Sequence, residues 1–129
     1  MEKILVIDDE LHTLSFIKFM LGRAGYEAAV AEDGIEGLAC FKDDDFDLVV
    51  TDILMPKMDG IQTIKEIRKL KPDMPILAIS GAGMKGAMSY LSIAEMAGAT
   101  STLAKPFEKN AFLAAVEACL SMPANSSAR

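Results

Sequence analysis

Five polar side chains stand at or just beyond the ends of short apolar runs, and their types suit phosphoryl chemistry. Asp8 and Asp9 follow ILVI, Asp52 follows LVVT, Ser80 follows ILAI, and Lys105 closes the run that begins at Ser101. In an open parallel sheet ligands bind at the carboxyl ends of the strands, so these residues are expected to converge on one edge. Three carboxylates that close repel one another and raise their own pKa values unless a cation neutralises them. The side-chain ligands on offer are oxygens, with no thiolate or imidazole beside them, which favours Mg²⁺ over Zn²⁺. Lys105 and Ser80 opposite such a pocket fit an incoming phosphoryl group: the ammonium is a point-charge partner and the hydroxyl a donor. Asp52 would then be the nucleophile and an aspartyl phosphate the product.

The elements that must position these residues are legible as an alternation. Strand-like runs at Lys3 to Ile7, Tyr26 to Ala31, Leu48 to Thr51, Ile76 to Ile79 and Ser101 to Leu103 are separated by stretches of helical period. That pattern predicts a parallel α/β sheet, and the continuous apolar runs ILVI, LVV and ILAI suit strands covered on both faces. Leu14, Ile17 and Leu21 form one helical stripe; Ile61, Ile64, Ile67 and Leu70 form another, and Phe112, Val116, Cys119 and Leu120 a third. Gly22 and Gly25 are expected to close the first helix, Asp33 and Gly34 to open the second, and Asp59 to cap the third. Pro72 and Pro75 stop the third before the fourth strand. A single domain over 1–121 is expected, followed by a polar, aperiodic tail over 122–129.

Composition excludes other classes. The chain has 129 residues, 51% hydrophobic and 25% charged, which suits one core and not a disordered chain. A formal net charge of −6 argues against a duplex-binding face, and no apolar run approaches the roughly 18 residues of a membrane span. The amino terminus MEKILVIDDE is too charged for a secretory signal, which makes the cytoplasm the expected compartment and Cys40 and Cys119 free thiols.

With these residues in view, the chain resembles the receiver domains of bacterial two-component response regulators, the CheY-like group. The resemblance covers about residues 3 to 120 and rests on ILVIDDE at 4–10, VVTDILMPKMDG at 49–60, AIS at 78–80 and LAKPF at 103–107. It implies a flavodoxin-like α/β fold: a five-stranded parallel sheet in the order 2-1-3-4-5 with helices on both faces. It implies that Asp52 is the phosphoacceptor, and that Asp9, Asp52 and the Leu54 backbone carbonyl bind Mg²⁺ while Asp8 places it through its water shell. Ser80 and Lys105 would hold the phosphoryl oxygens, and the Lys105–Pro106 peptide would be cis. The implied phosphodonor is a phosphohistidine on a sensor histidine kinase or phosphotransfer protein. The readout would be a downstream protein target docking on the fourth helix, fifth strand and fifth helix, by a monomer or a phosphorylation-dependent dimer, with neither nucleic acid nor membrane as partner.

The chain also departs from the family. Thr102 replaces the aromatic usual three positions before the lysine, so a loop or helix movement must carry more of the signal. The span from Ser80 to Lys105 is longer than in most relatives, and glycines 81, 83 and 86 make its first part permissive; segment 81–88 is expected to order on phosphorylation. Met84, Met88, Tyr90, Ile93 and Met96 suit either a partner surface or core filling. Leu54 and Ala82 cannot orient an attacking water, which predicts slow self-dephosphorylation. His12 reads as a solvated helix-start residue rather than a relay histidine.

With no output domain expected after Leu120, the preferred reading is a stand-alone switch acting by protein contact or passing its phosphoryl group onward. An aspartate-nucleophile phosphohydrolase of the haloacid dehalogenase type would want a second Asp where Leu54 stands. A flavin module would not place Asp8, Asp9 and Glu10 beside a phosphate, and a constitutive docking module would not need Asp8, Asp9, Asp52, Ser80 and Lys105 together.

Overall fold

The computed structural model describes residues 1–53, 59–81 and 87–121, with the backbone alone described for 87–91. Five βα units follow in order: β1 (Lys3–Ile7), α1 (Leu11–Arg23), β2 (Glu27–Ala31), α2 (Gly34–Asp43), β3 (Leu48–Asp52), α3 (Gly60–Leu70), β4 (Ile76–Gly81), α4 (Ala87–Ala97), β5 (Ser101–Lys105) and α5 (Lys109–Ser121). The strands form one parallel sheet in the order β2-β1-β3-β4-β5, as expected.

Alternation along the strands divides the core into two layers. Leu5, Ile7, Val49, Ile76 and Ala78 pack with Leu38 and Phe41 of α2, Ile64 and Ile67 of α3 and Ala94 of α4. Ile4, Val6, Leu48, Val50, Leu77 and Ile79 face the other way, onto Leu14, Ile17 and Leu21 of α1 and Phe112 and Val116 of α5. Helices on both faces explain why the central strands are unbroken apolar runs. The order in which strands are laid down across the sheet reverses between β1 and β3, which opens the crevice where ligands bind in such sheets.

The helix boundaries follow their capping residues. Asp33 accepts the Glu36 N–H at 2.8 Å and Asp59 the Gln62 N–H at 3.0 Å, each satisfying an otherwise free first-turn donor. Helix α4 ends at Gly98, whose φ of +119 is open to glycine without strain.

Differences from the sequence reading are small and have physical causes. β2 begins at Glu27, one residue after Tyr26. β3, β4 and β5 run on to Asp52, Gly81 and Lys105, because the ladder continues through the pairs Asp52 with Ile79, Ser80 with Ala104 and Gly81 with Lys105. The every-third stripe of α3 is only half a core face. Three-residue steps drift around a helix of 3.6 residues per turn, so Ile64 and Ile67 are buried, Ile61 half-buried and Leu70 48% exposed.

Candidate functional site

The strand ends bring the acidic residues together. One oxygen from each of Asp8, Asp9 and Asp52 lies within 4.8 Å of the others. Asp8 is fully buried, Asp52 is 6% exposed and Asp9 is at the surface. Asp8 is fixed at both ends: its N–H donates to the Ala31 carbonyl at 3.1 Å, and its Oδ1 accepts the Glu10 N–H at 3.0 Å. Its other oxygen, Oδ2, accepts Lys105 Nζ at 2.8 Å. The same ammonium lies 3.4 Å from Asp52 Oδ2. Asp52 Oδ1 in turn accepts the Ile53 N–H at 2.8 Å, an amide that also donates to the Ile79 carbonyl of β4 at 3.0 Å.

Charge is concentrated here beyond what one lysine balances. Burial, then the Asp8 charge, pushes the Asp52 carboxyl up to about 6, against the pull of Lys105 and the Ile53 amide. Burial pulls the Lys105 ammonium down, but the Asp8 hydrogen bond and the two carboxylate charges outweigh it and hold its pKa above the ordinary value. A divalent cation with oxygen ligands answers that excess, and the donor set fits Mg²⁺.

Ser80 Oγ is fully buried and, among the described residues, the buried side-chain polar atom without a hydrogen-bond partner. Such a group costs about 1–3 kcal/mol in the folded state, so it marks a place for a ligand acceptor. Neighbouring register places it beside the site: its strand pairs with β3 at Asp52 and with β5 at Lys105.

The structure thus brings together Asp8, Asp9, Asp52 and Lys105, with Ser80 on the strand between Asp52 and Lys105. Leu54 and Ala82 lie outside the described residues, as do segment 82–86, Met84 and the 122–129 stretch; the side chains of Met88 and Tyr90 are likewise undescribed. The Lys105–Pro106 peptide is cis, as the resemblance implied. Thr102 is half-buried on the edge strand, Met96 is 87% exposed and Ile93 44% exposed, so the described part of that group faces outward. His12 is exposed on α1. It lines, with Glu10, Thr13, Phe16, Lys105 and Phe107, a cleft of about 400 Å³ beside the site. Cys40 and Cys119 are free thiols; burial pushes that of Cys119 up to about 11.

Two residues at the site had no signal in residue spacing. Thr51, fully buried, donates its hydroxyl to the Asp52 backbone carbonyl at 2.9 Å. Gly60 starts α3 against the same segment: a Cβ there would stand 2.1 Å from the Asp52 carbonyl oxygen. Gly60 closes the run VVTDILMPKMDG, yet only the packing of α3 on the end of β3 shows why it must be glycine.

Known proteins share this sequence pattern and this fold. The chain matches the response regulator receiver domain over residues 4–117 and belongs to that family. It is 35% identical over 119 residues to the chemotaxis protein CheY of Bacillus subtilis, an alignment covering 92% of this chain and 97% of that one. It is 33% identical over 121 residues to the transcriptional regulatory protein GlrR of Escherichia coli, covering 94% of this chain but 27% of that protein. The chain therefore spans about a quarter of that regulator's length. A solved receiver domain from Clostridium thermocellum superposes with a TM-score of 0.85 at 34% identity, covering 93% of this chain and 94% of that one. Family members accept a phosphoryl group and bind Mg²⁺ in an acidic pocket, a description the Asp8, Asp9 and Asp52 group fits. Among the described residues no helix is long and apolar enough to cross a membrane.

Proposed function

We propose that this domain is a phosphorylation switch with Asp52 as its acceptor. A carboxylate oxygen of Asp52 attacks the phosphorus of a phosphohistidine on a sensor histidine kinase or phosphotransfer protein. The O–P bond forms, the P–N bond breaks, and the electron pair leaves with the imidazole nitrogen. Asp8, Asp9, Asp52 and the Leu54 carbonyl would hold Mg²⁺, which when bound neutralises carboxylate charge and takes up charge on the transferred group. Lys105 and Ser80 hold the phosphoryl oxygens. The observation that carries this reading is the Lys105 ammonium shared between Asp8 Oδ2 at 2.8 Å and Asp52 Oδ2 at 3.4 Å. An ammonium held between these two carboxylates supports a role for Lys105 in meeting the oxygens of a transferred phosphoryl group.

Once attached, the group adds about −1.5 to −2 charge and three acceptor oxygens. Drawing Lys105 from Asp8 onto those oxygens pulls on β5, and drawing Ser80 pulls on β4. The face made by α4, β5 and α5 reads this out to a downstream protein target, as a monomer or a phosphorylation-dependent dimer, in the cytoplasm. The domain, residues 1–121, catalyses only its own phosphorylation and a slow self-dephosphorylation. Intact mass after incubation with acetyl phosphate tests it. A Mg²⁺-dependent gain of one phosphoryl group in the wild type and none in Asp52→Ala is expected; an equal gain in both sinks the assignment.

A further inference from the structure

A hydroxyl lies in the sheet immediately before the acceptor, where a methyl would fit. Alternation along β3 sets Thr51 on the same face as Val49, above the apolar layer formed with α2 and α3. Valine has the same shape, and a hydroxyl in such a place is costly unless paired. Its partner is the Asp52 backbone carbonyl, at 2.9 Å.

That carbonyl belongs to a rigid plane. The Asp52 C=O and the Ile53 N–H are the two ends of one peptide unit, so neither turns without the other. The Ile53 N–H is the group that donates to Asp52 Oδ1 at 2.8 Å and to the Ile79 carbonyl at 3.0 Å. On the carbonyl side Gly60 closes the space, since even a Cβ there would come within 2.1 Å of the Asp52 oxygen and 2.6 Å of Ile53 Cα. The Gly60 N–H also donates to the Ile53 carbonyl at 2.8 Å. One end of the plane is gripped by Thr51 and walled by Gly60; the other end holds the carboxylate that must react.

We infer that Thr51 is a positioning residue. By holding the oxygen end of the 52–53 peptide it sets the direction of the Ile53 N–H and, through it, the aim of the Asp52 carboxylate. The inference rests on the reading of Asp52 as phosphoacceptor. It assigns Thr51 no contact with the phosphodonor, which is left to Lys105, Ser80 and the metal.

The test is Thr51→Val, with Thr51→Ser as the conservative variant, in acetyl phosphate labelling with Mg²⁺ across a range of donor concentration. Thr51→Val is expected to lower the maximal labelling rate about 5- to 50-fold, the scale of a small misalignment of reacting atoms, with half-saturating donor changed less than about twofold. Thr51→Ser is expected to restore the rate. In the metal-free protein the Ile53 amide proton is expected to move upfield in Thr51→Val and to return in Thr51→Ser. A Thr51→Val protein that labels at the wild-type rate, or a serine variant that fails to rescue, overturns the positioning role while leaving Asp52 in place. So does a loss confined to half-saturating donor. Labelling that survives Asp52→Ala overturns the acceptor assignment instead, and the positioning role with it.

Discussion

Lys105 Nζ is 2.8 Å from Asp8 Oδ2, a bond that joins the end of the edge strand β5 to the end of the central strand β1. The lysine is therefore committed to the acidic pair before any phosphoryl group arrives, and it shares that pair with the cation the site calls for. Removing its charge relieves the competition. Lys105→Met is expected to tighten Mg²⁺ binding about 3- to 10-fold by calorimetry, the scale of one partly screened like charge nearby. The same variant should label with acetyl phosphate at least about tenfold more slowly, since a charge on the transferred oxygens is lost. Weaker Mg²⁺ binding in the variant would mean that the lysine organises the carboxylates instead of competing for them.

The raised Asp52 carboxyl makes a stability prediction with a definite sign. Burial and the Asp8 charge lift it from 3.8 to about 6 in the folded chain. The folded state then binds the proton more readily than the unfolded state. Stability therefore falls as pH rises from 3.8 through about 6, and the penalty is full above that window. Asp52→Asn is expected to stabilise the metal-free protein by about 1–3 kcal/mol at neutral pH. Urea unfolding at pH 7.5 and pH 4 checks this: the gain should shrink toward zero at the lower pH. A gain of equal size at both would assign it to something other than charge.

Ser80 separates stability from function. Its buried hydroxyl has no partner among the described residues, so Ser80→Ala removes an unsatisfied group and should leave metal-free stability unchanged or raise it by about 1 kcal/mol. Phosphoryl transfer should nonetheless slow. A variant that unfolds more easily would show that the hydroxyl has a structural partner.

Two glycines should respond in opposite directions. Gly60 has no room for a Cβ against the Asp52 backbone, and Gly60→Ala is expected to cost about 2–4 kcal/mol and to impair labelling. Gly22, exposed in α1, would set an added Cβ more than 4 Å from every described neighbour and should gain about 0.5–1 kcal/mol on Gly22→Ala. Denaturant midpoints of both variants decide it; equal shifts would mean the close approach at Gly60 is relieved cheaply.

Much of this was legible in residue order because local rules and the global fold agree. ILVI and ILAI are apolar at every position since both faces of β1 and β4 are covered, and Asp33 and Asp59 cap the helices they precede. The polar residues at strand ends announced the site because a parallel sheet has one ligand-binding edge. What escaped depends on tertiary contact. Leu70 continues an apolar spacing yet turns to solvent, since helix geometry rotates it off the face held by Ile64 and Ile67. Thr51 looks like a strand residue of ordinary β propensity, and its hydrogen bond to the Asp52 carbonyl has no pattern in sequence. The cleft between Phe16 and Phe107 joins residues from α1 and the turn after β5, which no spacing rule connects.

The most direct test of the central claim is to locate the phosphoryl group chemically. Wild-type protein is labelled with acetyl phosphate and Mg²⁺, the acyl phosphate is reduced with tritiated borohydride, and the digested peptides are sequenced. A single labelled position, Asp52, is expected, with no label in the absence of Mg²⁺. Label on Asp8 or Asp9, or a phosphate that resists borohydride and stays on Ser80, would contradict it.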